Sequence, residues 1–347
     1  MSQEYTNSLE LLNPEQRKAV EHIDGPVAVS AGPGTGKTQI LTLRIAHIIQ
    51  TLGADTADSV LALTFTNSAV RSMRERLATF TDWETAHRVP LFTFHSFAQH
   101  LISNYPEHFG KKSTFRIASD IERIELMQEI LEHKTDFGPL KPLFDTNFYL
   151  RDIIGSIDKI KTEGYTPEEY GVRAEESYKL KLKDESLYYK RDSRFGKKGE
   201  IKKAELAKLD VQRKKNTSLV SLYEQYQEAL ESKQLLDYSD LILSVLHELE
   251  VNPEFKQDVQ EQYQYVLVDE HQDTNDGQNR LLAHLIDNPV WEGKPNIFTV
   301  GDTKQSIFRF AGATEGSFKE LEKHVTDMTQ VSLKTNYRSG QHILDQA

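Results

Sequence analysis

The stretch that most restricts how this chain can fold is Ala31-Gly32-Pro33-Gly34-Thr35-Gly36-Lys37-Thr38. Its glycines allow positive φ without steric cost, so the backbone can curl. A curled loop turns several N–H groups inward, where they cradle phosphate oxygens. Lys37 then sets a cation on the outer phosphates, and the Thr38 hydroxyl is a ligand for Mg²⁺. The pattern is G-x-x-x-x-G-K-[ST] with Ala31 in place of the usual first glycine. Such a loop needs a strand before it and a helix after it. Pro26-Val27-Ala28-Val29-Ser30 reads as a buried strand, and Gln39 to Gln50 as a helix carrying Ile40, Leu41, Leu43, Ile45, Ile48 and Ile49. The phosphates would sit at a helix N-terminus, where free N–H groups and the dipole favour anions.

Further strand–helix pairs extend this frame. Ser59 to Phe65 and Val89 to Phe94 read as buried strands, each followed by a helix pattern. The alternation predicts an α/β fold with a parallel sheet, which binds ligands at the C-terminal ends of its strands. Thr64-Phe65-Thr66-Asn67 and Thr93-Phe94-His95-Ser96 fall at those ends, with hydroxyls suited to phosphates and rings suited to bases. Tyr265-Val266-Leu267-Val268 ends in Asp269-Glu270, so Asp269 can hold Mg²⁺ and Glu270 can polarise an attacking water. Asn296 to Asp302 is another strand ending in a polar loop, where Gln305 can sense a γ-phosphate and Phe308 and Phe310 follow. Val331-Ser332-Leu333 reads as a last strand, with Arg338 after it able to neutralise charge on a transferring phosphoryl group. Upstream, Asn13 and Pro14 suit the start of a helix, and the Gln16 amide can both donate to and accept from an adenine edge.

Composition limits the partners. The 347 residues contain no cysteine, which excludes disulfides and thiolate metal sites in this chain. No apolar run is long enough to span a bilayer, and the first ten residues lack a signal-peptide core, so no membrane partner and a cytoplasmic location are expected. The net charge is −11, yet residues 173–215 carry 15 Lys/Arg against 8 Asp/Glu, a local +7 that leaves −18 on the rest. On charge alone this basic tract fits a polyanion footprint and a solvated insertion equally well.

Taken together and in order, these motifs resemble the UvrD/Rep type of superfamily 1 DNA helicases. Leu12-Asn13-Pro14-Glu15-Gln16 resembles the family's adenine-reading Q motif, and Ala31 to Thr38 its motif I, alanine included. The strand ends at Thr64 and Thr93 resemble the two strand-contacting motifs, and Asp269-Glu270-His271-Gln272-Asp273-Thr274-Asn275 resembles motif II. Gly301-Asp302 with Gln305 to Ala313 resembles motif III, with a lean towards helicase–nuclease subunits of the AddA/RecB kind, and Asn336-Tyr337-Arg338-Ser339 resembles motif IV. The resemblance implies ATP and Mg²⁺ as cofactors. It implies hydrolysis by Lys37, Thr38, Asp269 and Glu270, a γ-phosphate link through Gln305, an arginine finger in Arg338 and adenine stacking by Tyr337. Phe65, His95, Phe308 and Phe310 would line the path of single-stranded DNA. Relatives often carry Arg where Gln39 stands, Lys where Ser68 stands, and Trp-Arg where Phe310-Ala311 stand.

The fold expected is therefore a RecA-like P-loop domain (residues 1–104 and 219–328) with an inserted all-helical subdomain (105–218). Residues 329–347 would begin a second RecA-like lobe. Motifs V and VI find no counterpart before Ala347, which fits the N-terminal portion of a longer 3′→5′ helicase of DNA repair or recombination. Single strands, single-strand/duplex junctions and a nuclease or recombination subunit are the partners implied. The alternative is a module that holds ATP and single strands without unwinding DNA.

Overall fold

A computed structural model describes residues 2–133, 138–140, 148–192, 194, 196–302 and 325–338. The chain forms two compact units, Met1–Gly110 with Ser244–Ala347, and Lys111–Leu243.

In chain order the first unit opens with α1 (Gln3–Glu10), α2 (Pro14–Glu21), β1 (Val27–Ala31) and α3 (Lys37–Leu52). Next come β2 (Val60–Thr64), α4 (Asn67–Phe80), α5 (Trp83–Arg88), β3 (Leu91–Thr93), α6 (Phe94–Asn104) and α7 (Pro106–Phe109). The second unit holds β4 (Arg116–Ile117), α8 (Asp120–His133), α9 (Leu150–Thr162), α10 (Pro167–Leu182), α11 (Lys203–Ser232) and β5 (Leu235–Leu236). The division runs through α12 (Tyr238–Val251). The first unit resumes with α13 (Pro253–Gln262), β6 (Tyr265–Val268), α14 (Asp276–Ile286), β7 (Ile297–Gly301) and β8 (Thr329–Leu333).

Six strands form one sheet in the order β3-β2-β6-β7-β1-β8, every neighbouring pair parallel. Every residue of β2, β6 and β7 is buried, as expected of strands covered on both faces. The α/β, RecA-like fold class read from the sequence is the one observed. The core beside the sheet centres on α3, whose Ile40, Leu41, Leu43, Ile45 and Ile48 pack with Val29, Val60, Leu77 and Phe298. Each such side chain contributes about 1.5–3 kcal/mol through burial. Arg44 lies within that apolar stripe, fully buried. It donates to the carbonyls of Ala19 (2.8 Å), Ile23 (3.0 Å) and His22, and lies over the Phe298 ring. Burial lowers its pKa to about 9. Arg44 thus fastens α3 to the last carbonyls of α2.

Three expectations are corrected. Residues 329–333 do not open a second lobe: β8 pairs along β1 from Val27↔Thr329 to Ala31↔Leu333, and Val331 and Leu333 join the core. The inserted unit is not wholly helical, because β4 and β5 form a two-residue parallel pair. Nor does the chain change character at residue 218. That position lies inside α11, a single 30-residue helix, and the second unit extends to Leu243. This unit has its own core, built from Leu126, Met127, Ile153, Ile157, Tyr223 and Tyr226 among others. Much of the basic tract lies on α10 and α11, where Arg213 forms a bidentate pair with Glu175 at 2.8 Å. Among the described residues no helix is long and apolar enough to cross a membrane.

Candidate active site

Parallel strands deliver their C-terminal ends to one edge of the sheet, and the segments that follow them leave from there. Ala31 is the last residue of β1 and is buried in the core, so its methyl group packs where a loop glycine would contribute nothing. Gly34 and Gly36 both take left-handed φ, +73° and +87°. The Thr35 hydroxyl closes the curl onto the Gly32 carbonyl at 2.8 Å. α3 then starts at Lys37 with Gly36 as N-cap and no side-chain cap. By contrast α2, α6, α10 and α14 each carry a reciprocal capping box. The first N–H groups of α3 are left without a side-chain acceptor, as an anion site requires.

Lys37 Nζ pairs with Glu270 Oε2 at 2.9 Å, joining the loop after β1 to the loop after β6. Thr38 Oγ1 faces Asp269 Oδ2 at 3.5 Å, the outer limit of hydrogen bonding. Asp269 is 3% exposed. Burial first, and the neighbouring Glu270 second, push its pKa up to about 7, against the opposing pull of Lys37. A hydroxyl and a desolvated carboxylate at this spacing are hard oxygen donors short of positive charge, a set that fits Mg²⁺. Among the described residues no three His, Cys, Asp or Glu side chains form a complete cage. Mg²⁺ commonly takes one or two protein ligands and completes its shell from phosphate and water.

Glu270 itself has left-handed backbone (φ +49°) and starts a short 3₁₀ turn, His271–Asp273. Within that turn Gln272 Nε2 donates to Glu270 Oε2 at 2.8 Å. His271 is wholly buried, which lowers its pKa to about 4, and its Nε2 lies 3.2 Å from Asn279 Oδ1.

The segment after β8 closes the site. Tyr337 donates its N–H to the Gly34 carbonyl and Asn336 Nδ2 donates to the Pro33 carbonyl, both at 2.8 Å. A Cβ on Gly34 would lie 2.7 Å from Arg338 Cβ and from Asn336 Oδ1, so glycine is needed there for space as well as for φ. The Tyr337 ring is 61% exposed, and its hydroxyl accepts from Asn13 Nδ2 at 3.0 Å. Gln16 is buried beside it. Its Oε1 accepts the Asn13 N–H at 3.2 Å and its Nε2 donates to the Thr35 carbonyl at 3.1 Å. The amide expected to read an adenine thus supports the phosphate loop. Gln39 stands exposed on the first turn of α3.

The residues expected to meet a DNA strand divide into two groups. Thr64 and Thr93 are in-register partners on β2 and β3, but they are only 2% and 8% exposed. Thr93 caps α6 through its capping box with Ser96, so its hydroxyl faces the helix rather than solvent. Phe65 and Asn67 are exposed beside them, and His95 is half-buried with its pKa pushed down to about 4 by burial. Gln305, Phe308 and Phe310 lie outside the described residues. Asn13, Gln272, Gly301 and Asn336 stand in the motifs quoted above, but sequence reasoning gave them no role in the site. The signal for Gln272 was its place in the motif II pattern, two residues after Glu270.

Residues 12–326 match the family model described as the UvrD/REP helicase N-terminal domain. The chain is 34% identical to DNA helicase II of Rickettsia typhi over 344 residues, covering 97% of this chain and 44% of that protein. It is 30% identical to the ATP-dependent DNA helicase PcrA of Leuconostoc citreum over 97% of this chain and 38% of that protein. With PcrA of Bacillus subtilis the identity is 31%, over 96% and 38% respectively. The chain therefore spans about two-fifths of the length of these curated relatives.

Proposed function

Because this chain belongs to the UvrD/REP helicase family, matching its N-terminal domain, we propose that it is the ATP-hydrolysing half of a DNA motor. In this reading ATP turnover drives movement along single-stranded DNA in the 3′→5′ direction, in repair or recombination. The observation that carries it is the Lys37–Glu270 pair across the tips of β1 and β6, with Thr38 and Asp269 beside it.

Each side chain then has a defined task. The N–H groups at the start of α3 take the phosphates, and Lys37 moves from Glu270 to the outer phosphate oxygens. Glu270 is thereby released to orient the attacking water and accept its proton. Thr38 and Asp269 would hold Mg²⁺, which would supply charge neutralisation across the phosphates and favour the ionised form of Asp269. Arg338, whose Cβ stands close against Gly34, offers its guanidinium to the phosphoryl group in transfer. Tyr337 offers an exposed ring for the base. Phe65, Asn67 and His95, with Gln305, Phe308 and Phe310, are assigned to the strand path and its link to the γ-phosphate. The basic tract at 173–215 is assigned to the DNA backbone near a single-strand/duplex junction.

The test is DNA-stimulated ATP hydrolysis by Lys37→Ala and Glu270→Gln variants of the whole protein. Loss of at least about 10²-fold in rate is expected from removing such a group. Stimulated turnover near the wild-type rate in either variant overturns the assignment. Affinity for a single strand should fall with salt, by about 0.7 in the log–log slope for each phosphate neutralised.

A further inference from the structure

Gln272 is 7% exposed and has no part in the scheme above. Its amide is nevertheless used at both ends. Nε2 donates to Glu270 Oε2 at 2.8 Å and to Asp273 Oδ2 at 3.1 Å. Oε1 accepts the N–H of Asp302 at 2.8 Å, directly after the end of β7. The backbone makes room for this. A Cβ on Gly301, whose φ is ordinary, would lie 2.6 Å from Gln272 Oε1 and 3.1 Å from its N. An amide with its acceptor held on one side has only its N–H groups to present on the other. The carboxylates on that side therefore meet a donor of fixed direction.

Oε2 of Glu270 is the oxygen held by both Lys37 (2.9 Å) and Gln272. When Lys37 turns to phosphate, the bond from Gln272 is the one that persists. It leaves the other carboxylate oxygen to face the water. We propose that Gln272 is a positioning residue for Glu270, locked in place by Asp302 N–H and by the missing side chain of Gly301. This inference rests on the reading of Glu270 as the base. A carboxylate rotated off its line loses proton acceptance without losing nucleotide binding, so the effect falls on kcat.

The experiment compares Gln272→Met, Gly301→Ala, Glu270→Gln and the Glu270→Gln/Gln272→Met double variant in the whole protein. Binding of a fluorescent ATP analogue and DNA-stimulated hydrolysis are both measured. Gln272→Met is expected to lower kcat about 10- to 100-fold and leave the ATP KM within about twofold. Gly301→Ala should move the same quantities in the same direction, by displacing the amide rather than removing it. It also serves where Gln272→Met is poorly folded. In the Glu270→Gln background the second substitution should cost less than about twofold, because the residue acts only through that carboxylate. Additive losses, or an unmoved kcat in a folded variant, overturn the proposal. Failure of the wild-type protein to bind the analogue at all overturns the nucleotide reading instead.

Discussion

Two lysines in this protein each face a pair of carboxylates, and the two sites have opposite characters. Lys161, on α9, is fully buried between Asp237 (2.6 Å) and Asp240 (2.7 Å). All four carboxylate oxygens there have partners. Asp240 and Asp237 exchange backbone N–H bonds at 2.8 and 3.0 Å, and Gln227 adds a donor to Asp240 at 2.9 Å. The rings of Tyr223 and Tyr226 lie 5.5 and 5.0 Å from the ammonium. Burial pushes Asp237 up. Asp240 stays below its usual range because Lys161 and these donors outweigh its own burial. Lys37 instead reaches one carboxylate, with Glu270 one-third exposed, while buried Asp269 accepts from the Glu270 N–H at 3.1 Å and from the Thr38 hydroxyl at 3.5 Å. In the first site both carboxylates are paired directly with one buried lysine. The second holds a desolvated carboxylate short of positive charge, beside a lysine paired with a partly exposed one. Charge compensation, rather than the residue types, separates a structural ion cluster from a candidate catalytic one.

Three measurements can break or sharpen this contrast. The largest effect is expected at Lys161. Lys161→Ala leaves two buried carboxylates without their cation and should cost about 3–5 kcal/mol in denaturant unfolding, so a change below about 1 kcal/mol would sink the structural assignment. The second concerns Asp269. Its folded pKa is raised from 3.8 to about 7, so the native state binds the proton more tightly than the unfolded chain. Stability is then lost as pH rises through that interval. Asp269→Asn should stabilise the nucleotide-free protein by about 2–4 kcal/mol at pH 8. The gain should vanish near pH 4, and a gain independent of pH would contradict the desolvation account. The smallest effect is expected at Lys37. Because its partner Glu270 is partly exposed, Lys37→Met should change unfolding stability by less than about 1 kcal/mol, whatever the variant does to turnover.

How far the chain could be read depended on the range of the interactions involved. The phosphate loop, β1 before it and α3 after it were legible because turn chemistry and helical periodicity act over a few residues. Asp269-Glu270 at the end of an apolar run was legible for the same reason. The place of β8 was not. A short run around Val331 states that a strand exists, but its neighbour β1 lies some 300 residues away in sequence. Arg44 in an apolar stripe, Thr64 and Thr93 turned inward, and an inserted unit that runs on past residue 218 are likewise products of packing.

The sequence by itself determined the curl of residues 31–38, the parallel α/β pattern and the acid pair at a strand tip, since these follow from φ preference, periodicity and side-chain chemistry. Only the tertiary structure decided that Gly34 must leave space for Asn336 and Arg338, that Gln272 holds the carboxylate beside Lys37, and that Lys161 is buried between two carboxylates while Lys37 meets a partly exposed one. Desolvation and hydrogen-bond satisfaction depend on every atom that surrounds a group, and distant parts of the chain supply those atoms.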